Sequence, residues 1–234
     1  MNPTQKREQF RAILSGDRCI HPASVFDPIS VRIAEDLGFE LAFMAGSMAS
    51  ATVLGAPDLV VLTLSEFAEQ IRRICRATTL PLTVDADHGY GNALNVKRTV
   101  EELEAAGLSG LTIEDTVLPQ SFGKGKGEDL ISVEEGVGKM KAALAGRQDP
   151  SLLIIARTSS LGIEGVEGTI RRGKAYQQAG VDAFWLAGGT TKEAISKIHA
   201  EIDLPILMGA GGGEVTDEFM TANGVRVSHQ GHLP

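Results

Sequence analysis

Asp85 and Asp87 close the apolar run Pro81-Leu82-Thr83-Val84 and are followed by His88-Gly89-Tyr90-Gly91. In an extended backbone successive side chains alternate faces, so the two carboxylates point the same way. Like charges on one face repel unless a positive charge joins them. A hard divalent cation meets that need, because it prefers oxygen ligands and keeps several of its own waters. The plain alternative is a strand entering an Asx-type turn whose glycines serve backbone geometry, which leaves the second aspartate unexplained. Other apolar runs also end in polar residues: Asp27, Ser47, Glu114 with Asp115, Arg157, and His229 with His232. Arg157 offers a planar fork suited to carboxylate or enolate oxygens. A structural ion pair with Glu114 is compatible with that role.

These side chains meet only if the strands carrying them lie side by side. Apolar strand candidates fall at 19–25, 41–44, 82–85, 110–114, 152–157, 183–186, 206–208 and 226–229. They hold few polar residues before their last positions, the pattern of parallel strands buried on both faces. Helical patterns lie between them at 30–37, 65–76, 95–106, 132–144, 166–179, 191–201 and 217–222, with another near 4–14 at the start. Ser65 and Ser132 read as helix caps, the latter in a Ser-x-x-Glu box with Glu135. Gly38, Gly107 and Gly180 stand where a helix needs a left-handed stop before a strand. The alternation predicts an α/β fold, a (β/α)8 TIM-type barrel, with an open doubly wound sheet as the weaker reading. In either, working residues gather at the carboxyl ends of the strands. The eighth strand candidate runs directly into Pro234, so the expectation is one barrel domain over residues 1–234 without its eighth helix and C-terminal helical region. The amino-terminal helix or a neighbouring subunit would then cover the open side.

With 22 Lys and Arg against 30 Asp and Glu, the net charge is −8, and the basic residues are scattered. This argues against a nucleic-acid partner, and an acidic substrate would need local positive charge from a metal or an arginine. Cys19 and Cys75 have no metal-like spacing and read as reduced thiols of a cytoplasmic protein. The first residues, through Gly16, are charged and helix-like, unlike a signal peptide. No apolar run reaches the ~18 residues of a membrane span.

Several motifs together carry a family resemblance running nearly end to end. They are Ser24-Val25-Phe26-Asp27-Pro28, Ala45-Gly46-Ser47, Ala56-Pro57-Asp58, Asp85-Ala86-Asp87-His88-Gly89-Tyr90-Gly91 and Ile113-Glu114-Asp115-Thr116. Val133-Glu134-Glu135-Gly136, Ile155-Ala156-Arg157-Thr158 and Gly231-His232 complete the set. The chain resembles the isocitrate lyase/phosphoenolpyruvate mutase superfamily, most of all its oxaloacetate decarboxylase branch. That resemblance implies Mg²⁺, or Mn²⁺ in its place, held by Asp85 directly and by Asp87, Asp58 and Glu114 largely through waters. It implies that Gly46 and Ser47 bind a substrate carboxylate and that Arg157 binds the α-keto acid end. It implies that His232 reaches the substrate from the loop after the eighth strand. Arg157 and His232 are thus the catalytic candidates, acting on a small α-keto dicarboxylate in a homo-oligomer, a dimer or tetramer, with no membrane or nucleic-acid partner. The implied reaction is decarboxylation of oxaloacetate to pyruvate and CO2, with a Lewis acid stabilising the enolate charge.

The loop at 118–127 contains no cysteine, which argues against the carbon–carbon lyases of the superfamily, and Gln120 with small neighbours argues against its phosphonate enzymes. The glycine run at 209–213 is read as a connector rather than a phosphate cradle. Ser47 as a helix N-cap, His229 as a packed or solvent-facing residue and His88 as support for the Asp85–Asp87 turn are the plain readings of those positions. A superfamily enzyme acting on another α-keto or phosphonate acid, or a truncated non-catalytic barrel, are the alternatives at the level of function.

Overall fold

The computed structural model describes residues 1–123, 129–209 and 215–231. Eight parallel strands follow one another in sequence order around one sheet: β1 (Ala23–Ser24), β2 (Ala42–Met44), β3 (Leu82–Asp85), β4 (Gly110–Glu114), β5 (Leu153–Thr158), β6 (Ala183–Leu186), β7 (Ile206–Gly209) and β8 (Val225–His229). A parallel bridge between Ile20 and Val227 brings the two edges together. There Ile20 N–H donates to Arg226 O at 3.0 Å and Ser228 N–H donates to Ile20 O at 2.9 Å. The alternation of strands and helices thus closes as a (β/α)8-type barrel. The first strand candidate is divided by Pro22, which lacks the N–H a ladder needs. Ile20 therefore pairs with β8, and Ala23–Ser24 pairs with β2.

The helices are α1 (Pro3–Ser15), α2 (Pro28–Asp36), α3 (Gly46–Ala49), α4 (Leu64–Cys75), α5 (Ala93–Ala105), α6 (Val133–Gly146), α7 (Ser160–Ile163), α8 (Gly165–Ala179), α9 (Lys192–His199) and α10 (Asp217–Ala222). A π-helical turn, Ser50–Leu54, continues α3. Gly38, Gly107 and Gly180 have φ of 82°, 99° and 99°, the left-handed stops expected of them. The α4 cap is Thr63 rather than Ser65: its hydroxyl accepts from Glu66 N–H at 3.3 Å, and Glu66 Oε2 accepts from Thr63 N–H at 2.9 Å. Ser132 caps α6 by accepting from Glu135 N–H at 3.1 Å.

Side-chain alternation divides the core in two. Outward positions such as Val84, Ile113, Ile154, Phe184 and Met208 pack with the helices. Inward positions Phe43, Leu153, Ile155, Ala183, Trp185, Leu207 and Val227 fill the barrel together with Phe10 and Leu14 of α1. Helix α1 therefore plugs the amino-terminal end of the barrel and does not cover its open side. Gly110 makes the room, since a Cβ there would lie 2.8 Å from the Phe10 ring. The plug is tied down by Lys6, which donates to Cys75 O and Thr78 O, and by Arg7, which donates to Glu104 O and Leu108 O.

Candidate active site at the carboxyl ends of the strands

The period-two alternation that fills the barrel with apolar residues turns polar one step later. Asp85 follows Thr83, Glu114 follows Thr112, Arg157 follows Ile155, and His229 follows Val227 along inward faces. Thr112 Oγ1 donates to Asp85 Oδ1 at 3.1 Å, and Asp87 N–H donates to the same oxygen at 3.2 Å. Arg157 Nη1 pairs with Asp85 Oδ2, while its Nε lies 3.3 Å from Glu114 Oε2. Strands β4 and β5 set Glu114 opposite Arg157 in register. The side chains of Arg157, Asp85 and Glu114 are 23%, 13% and 7% exposed, so the group is sunk into the barrel mouth yet open to solute.

Asp87 sits at φ 48°, a left-handed conformation that Asp tolerates better than most residues. Its carboxylate packs against Gly46, the first residue of α3, where a Cβ would stand 2.7 Å from Asp87 Oδ1. Burial, then Asp85, Asp58 and Glu114, pushes the Asp87 carboxyl up to about 8, against the opposing pull of Arg157. Asp58, on the loop before α4, is also raised, first by the protein around it and then by Asp85. Burial works against the Arg157 charge, but Asp85 and Glu114 outweigh it and raise its pKa. Asp58, Asp85, Asp87 and Glu114 thus form an oxygen-only set carrying more negative charge than Arg157 balances, a donor set suited to a hard cation. Among the described residues, no three His, Cys, Asp or Glu side chains form a tight cage. Any cation here would take few direct protein ligands and fill its remaining positions with water.

Below this group lies an aromatic floor. Trp185 stacks on His229 with ring centroids 4.0 Å apart, Phe43 meets His229 edge-on at 4.2 Å, and the Arg157 guanidinium lies 5.8 Å from the Trp185 ring centre. His229 Nδ1 lies 3.2 Å from Met208 O, and since a carbonyl only accepts, Nδ1 carries the proton in that contact. His229 is buried inside the barrel and is not a solvent-facing residue.

Five of the residues singled out by sequence, Asp58, Asp85, Asp87, Glu114 and Arg157, interact in one cluster, with Gly46 against it. Ser47 is not the cap of α3, a place taken by Ala45. His232 and residues 210–213 of the glycine run lie outside the described residues. Two polar strand-end residues serve the frame instead. Asp27 caps α2 by accepting from Ser30 N–H at 2.6 Å. Asp115 faces outward, where Oδ2 accepts from Thr158, Arg172 and Tyr176 at 3.0, 3.1 and 2.7 Å. Thr112, Trp185 and Phe43 escape the sequence reading. Counting back by two from Glu114 reaches Thr112, and the single tryptophan, one residue before the end of an apolar strand, was the signal for Trp185.

The phosphoenolpyruvate phosphomutase family matches residues 10–233. The chain belongs to that family. Oxaloacetate decarboxylase of Rhodopseudomonas palustris (strain BisB18) is 55% identical over 230 residues, which cover 98% of this chain and 80% of the relative. Among solved structures, oxaloacetate acetylhydrolase in complex with the inhibitor 3,3-difluorooxalacetate is similar at a TM-score of 0.88 and 30% identity, over 98% of this chain and 80% of that one. Phosphonopyruvate hydrolase in complex with oxalate and Mg²⁺ is similar at a TM-score of 0.84 and 29% identity, over 99% of this chain and 81% of that one. The phosphomutase-family barrel thus carries relatives of different chemistry, and the decarboxylase shares far more of this sequence than the others. Among the described residues no helix is long and apolar enough to cross a membrane.

Proposed function

We infer that this chain is an oxaloacetate decarboxylase, a carboxy-lyase that converts oxaloacetate to pyruvate and CO2. The observation that carries the reading is 55% identity, over 98% of the chain, to a relative of that name. The absence of a cysteine between residues 118 and 127 supports it against carbon–carbon lyase chemistry.

Asp85, Asp87, Asp58 and Glu114 would hold a divalent cation, Mg²⁺ or Mn²⁺ in its place, with Asp85 as the direct ligand. When bound, that cation supplies Lewis-acid charge to the ketone and its neighbouring carboxylate. Arg157 binds the same end of the substrate through its fork. As the bond to the far carboxylate breaks, its electron pair moves onto the ketone oxygen, and the fixed Arg157 charge stabilises the enolate that results. Gly46 and Ser47, at the start of α3, receive the far carboxylate. They orient it without a full countercharge, which would hold back CO2. His232 or water returns one proton to the enolate carbon to give pyruvate. The aromatic floor of Phe43, Trp185 and His229 keeps water from beneath the reacting atoms.

A cytoplasmic location belongs to the same reading, supported by the free thiols of Cys19 and Cys75. So does a homo-oligomer, supported by Ile29, Ile33 and Leu37 of the α2 segment, which stand 68%, 53% and 72% exposed on one helical stripe that a second copy would cover.

The test measures pyruvate formation from oxaloacetate at limiting Mg²⁺ for the parent, Asp85→Ala and Arg157→Ala. The parent should exceed both variants and the free-metal rate, and a chelator should abolish the difference. Equal rates in all three would overturn the reading, as would turnover of phosphonopyruvate in place of oxaloacetate.

A further inference from the structure

The turn that carries Asp87 takes positive φ at four of its five residues, and two of those, Asp87 and Tyr90, lack a glycine's freedom. Asp87, Gly89, Tyr90 and Gly91 have φ of 48°, 78°, 62° and 145°, and Tyr90 has no polar side-chain device to ease such a backbone. Such conformations persist only where the surroundings over-determine them. Here three successive carbonyls are each met by a donor from a different element. Glu114 N–H, at the end of β4, donates to Asp87 O at 2.8 Å. Lys139 Nζ, from α6, donates to His88 O at 3.0 Å. Thr99 Oγ1, from α5, donates to Gly89 O at 3.1 Å. Val96 closes the turn from the side, where a Cβ on Gly89 would lie 2.4 Å from its Cγ2.

Lys139 is the costly member of the three. Its residue is 3% exposed, and burying an ammonium is expensive unless that charge is used. An ammonium has three donors, and among the described residues the hydrogen bond that Lys139 makes goes to the backbone of this turn. Burial lowers the Lys139 pKa, and the charges of Glu135, Glu114 and Asp115 offset part of that shift. One of those three, Glu114, also belongs to the cluster that contains Asp87. The cation therefore stands behind the site, tied to both its backbone and its charge.

We propose that Lys139 is a positioning residue of the cation site: with Thr99 and the Glu114 N–H, it clamps the left-handed turn at 87–91 so that the Asp87 carboxylate stays beside Asp85. This rests on the reading of the Asp85–Asp87 cluster as a divalent-cation site. Lys139 does not touch substrate in this role. Its removal should be read first in binding of the cation and only then in rate.

The experiment titrates the metal-free full chain with Mn²⁺ alone by calorimetry, for the parent, Lys139→Met, Thr99→Val and Asp85→Ala. Amide hydrogen exchange across residues 88–91 is followed in the same samples. Lys139→Met should weaken Mn²⁺ binding about 10- to 100-fold, as loss of an outer-shell partner does. Thr99→Val should weaken it less, and both should speed exchange in the turn. Turnover at saturating Mn²⁺ should return close to the parent value in both. If Lys139→Met does not fold, Thr99→Val carries the test alone. Parent-like affinity in the clamp variants, with Asp85→Ala binding nothing, would overturn the clamp and leave the cation site standing. Weakened binding in Lys139→Met with unchanged exchange would also overturn it, since the turn would then be held without Lys139; loss of the ammonium charge by itself would strengthen cation binding. Equal binding by the parent and Asp85→Ala would remove the cation site and the clamp together.

Discussion

Gly46 leaves the space that Asp87 occupies: a Cβ on Gly46 would stand 2.7 Å from Asp87 Oδ1 and 3.3 Å from its Cγ. The two residues come from neighbouring strand ends, β2 and β3, and meet where α3 begins. The sequence reading expects Gly46 to serve a substrate carboxylate. Its visible contribution here is the side chain it lacks, which lets a protein carboxylate reach the centre of the site.

Gly46→Ala should therefore push the Asp87 carboxylate aside while leaving the barrel folded. Alanine suits the first turn of α3 better than glycine by up to ~1 kcal/mol, so the melting temperature should change little. Divalent-cation affinity should fall about tenfold or more, the usual scale for disturbing a group that orients a metal site. Calorimetric titration with Mn²⁺ beside a thermal melt checks both. An unchanged affinity would show that the contact does not hold Asp87 in place.

Arg157 reaches two carboxylates with different atoms, Nη1 to Asp85 and Nε to Glu114, while its plane lies near Trp185. Lysine offers one compact ammonium and cannot span that geometry. Arg157→Lys should lower kcat by about 10²-fold or more, the cost typical of losing a preorganised donor to developing negative charge. Arg157→Gln should also lose stability, by about 3 kcal/mol, because Glu114 and Asp85 keep their charges without the Arg157 countercharge. Steady-state kinetics and urea unfolding separate the two effects. A Lys variant with parent-like kcat would remove Arg157 from the chemistry.

The barrel was legible because its signals are local. Strands buried on both faces read as apolar runs, and glycines at 38, 107 and 180 mark helix ends by a conformation other residues avoid. Boundaries slipped where a neighbour could do the same work: Thr63 caps α4 although Ser65 reads as well, and Pro22 divides a strand that looks continuous. Asp85, Asp87, Glu114 and Arg157 were visible because charge at the end of an apolar strand needs a reason. Asp115 and Asp27 carry the same signature for another reason. One faces outward to Arg172 and Tyr176, and the other caps a helix, and strand-end position alone does not distinguish those uses. Thr112 and Lys139 were missed because a strand threonine and a helical lysine are unremarkable in sequence, and Trp185 because an apolar strand accommodates a tryptophan as core. Their roles come from residues that only the closed barrel brings near.

Thr112 offers a sharper test of such outer support. Its hydroxyl donates to Asp85 Oδ1 at 3.1 Å, and its residue is fully buried. Thr112→Val keeps the shape and removes the donor. Cation affinity should fall about 10-fold, and Thr112→Ser should recover most of it. Activity measured against Mn²⁺ concentration should show a raised half-saturation point with a parent-like plateau. A lowered plateau with unchanged half-saturation would place Thr112 in the chemistry and not in support of Asp85.

At the opposite end of the barrel, Asp149 ties α1 to the body of the protein and makes the plug sensitive to acid. Its Oδ2 accepts from Thr4 and from Arg7, each at 2.7 Å, and Oδ1 accepts from Ser151 N–H at 2.9 Å. Burial alone would raise this carboxyl. The hydrogen bonds from Ser151, Arg7 and Thr4 outweigh it and hold the pKa well below the ordinary value of 3.8. A carboxyl depressed in the folded state stabilises it above its unfolded pKa, and that contribution fades as pH falls through the folded value. Stability from Asp149 is therefore complete at neutral pH, begins to decline near about pH 4, and disappears below the folded pKa. Asp149→Asn should cost about 1.5–3 kcal/mol at neutral pH, the range for hydrogen bonds to a charged group. Because the variant lacks the titrating group, its stability should fall less steeply in acid, and the two curves should converge only as pH falls through the depressed folded pKa of Asp149. Urea unfolding at a series of pH values checks this directly. Parallel curves for parent and variant would show that the Asp149 charge does not hold the plug.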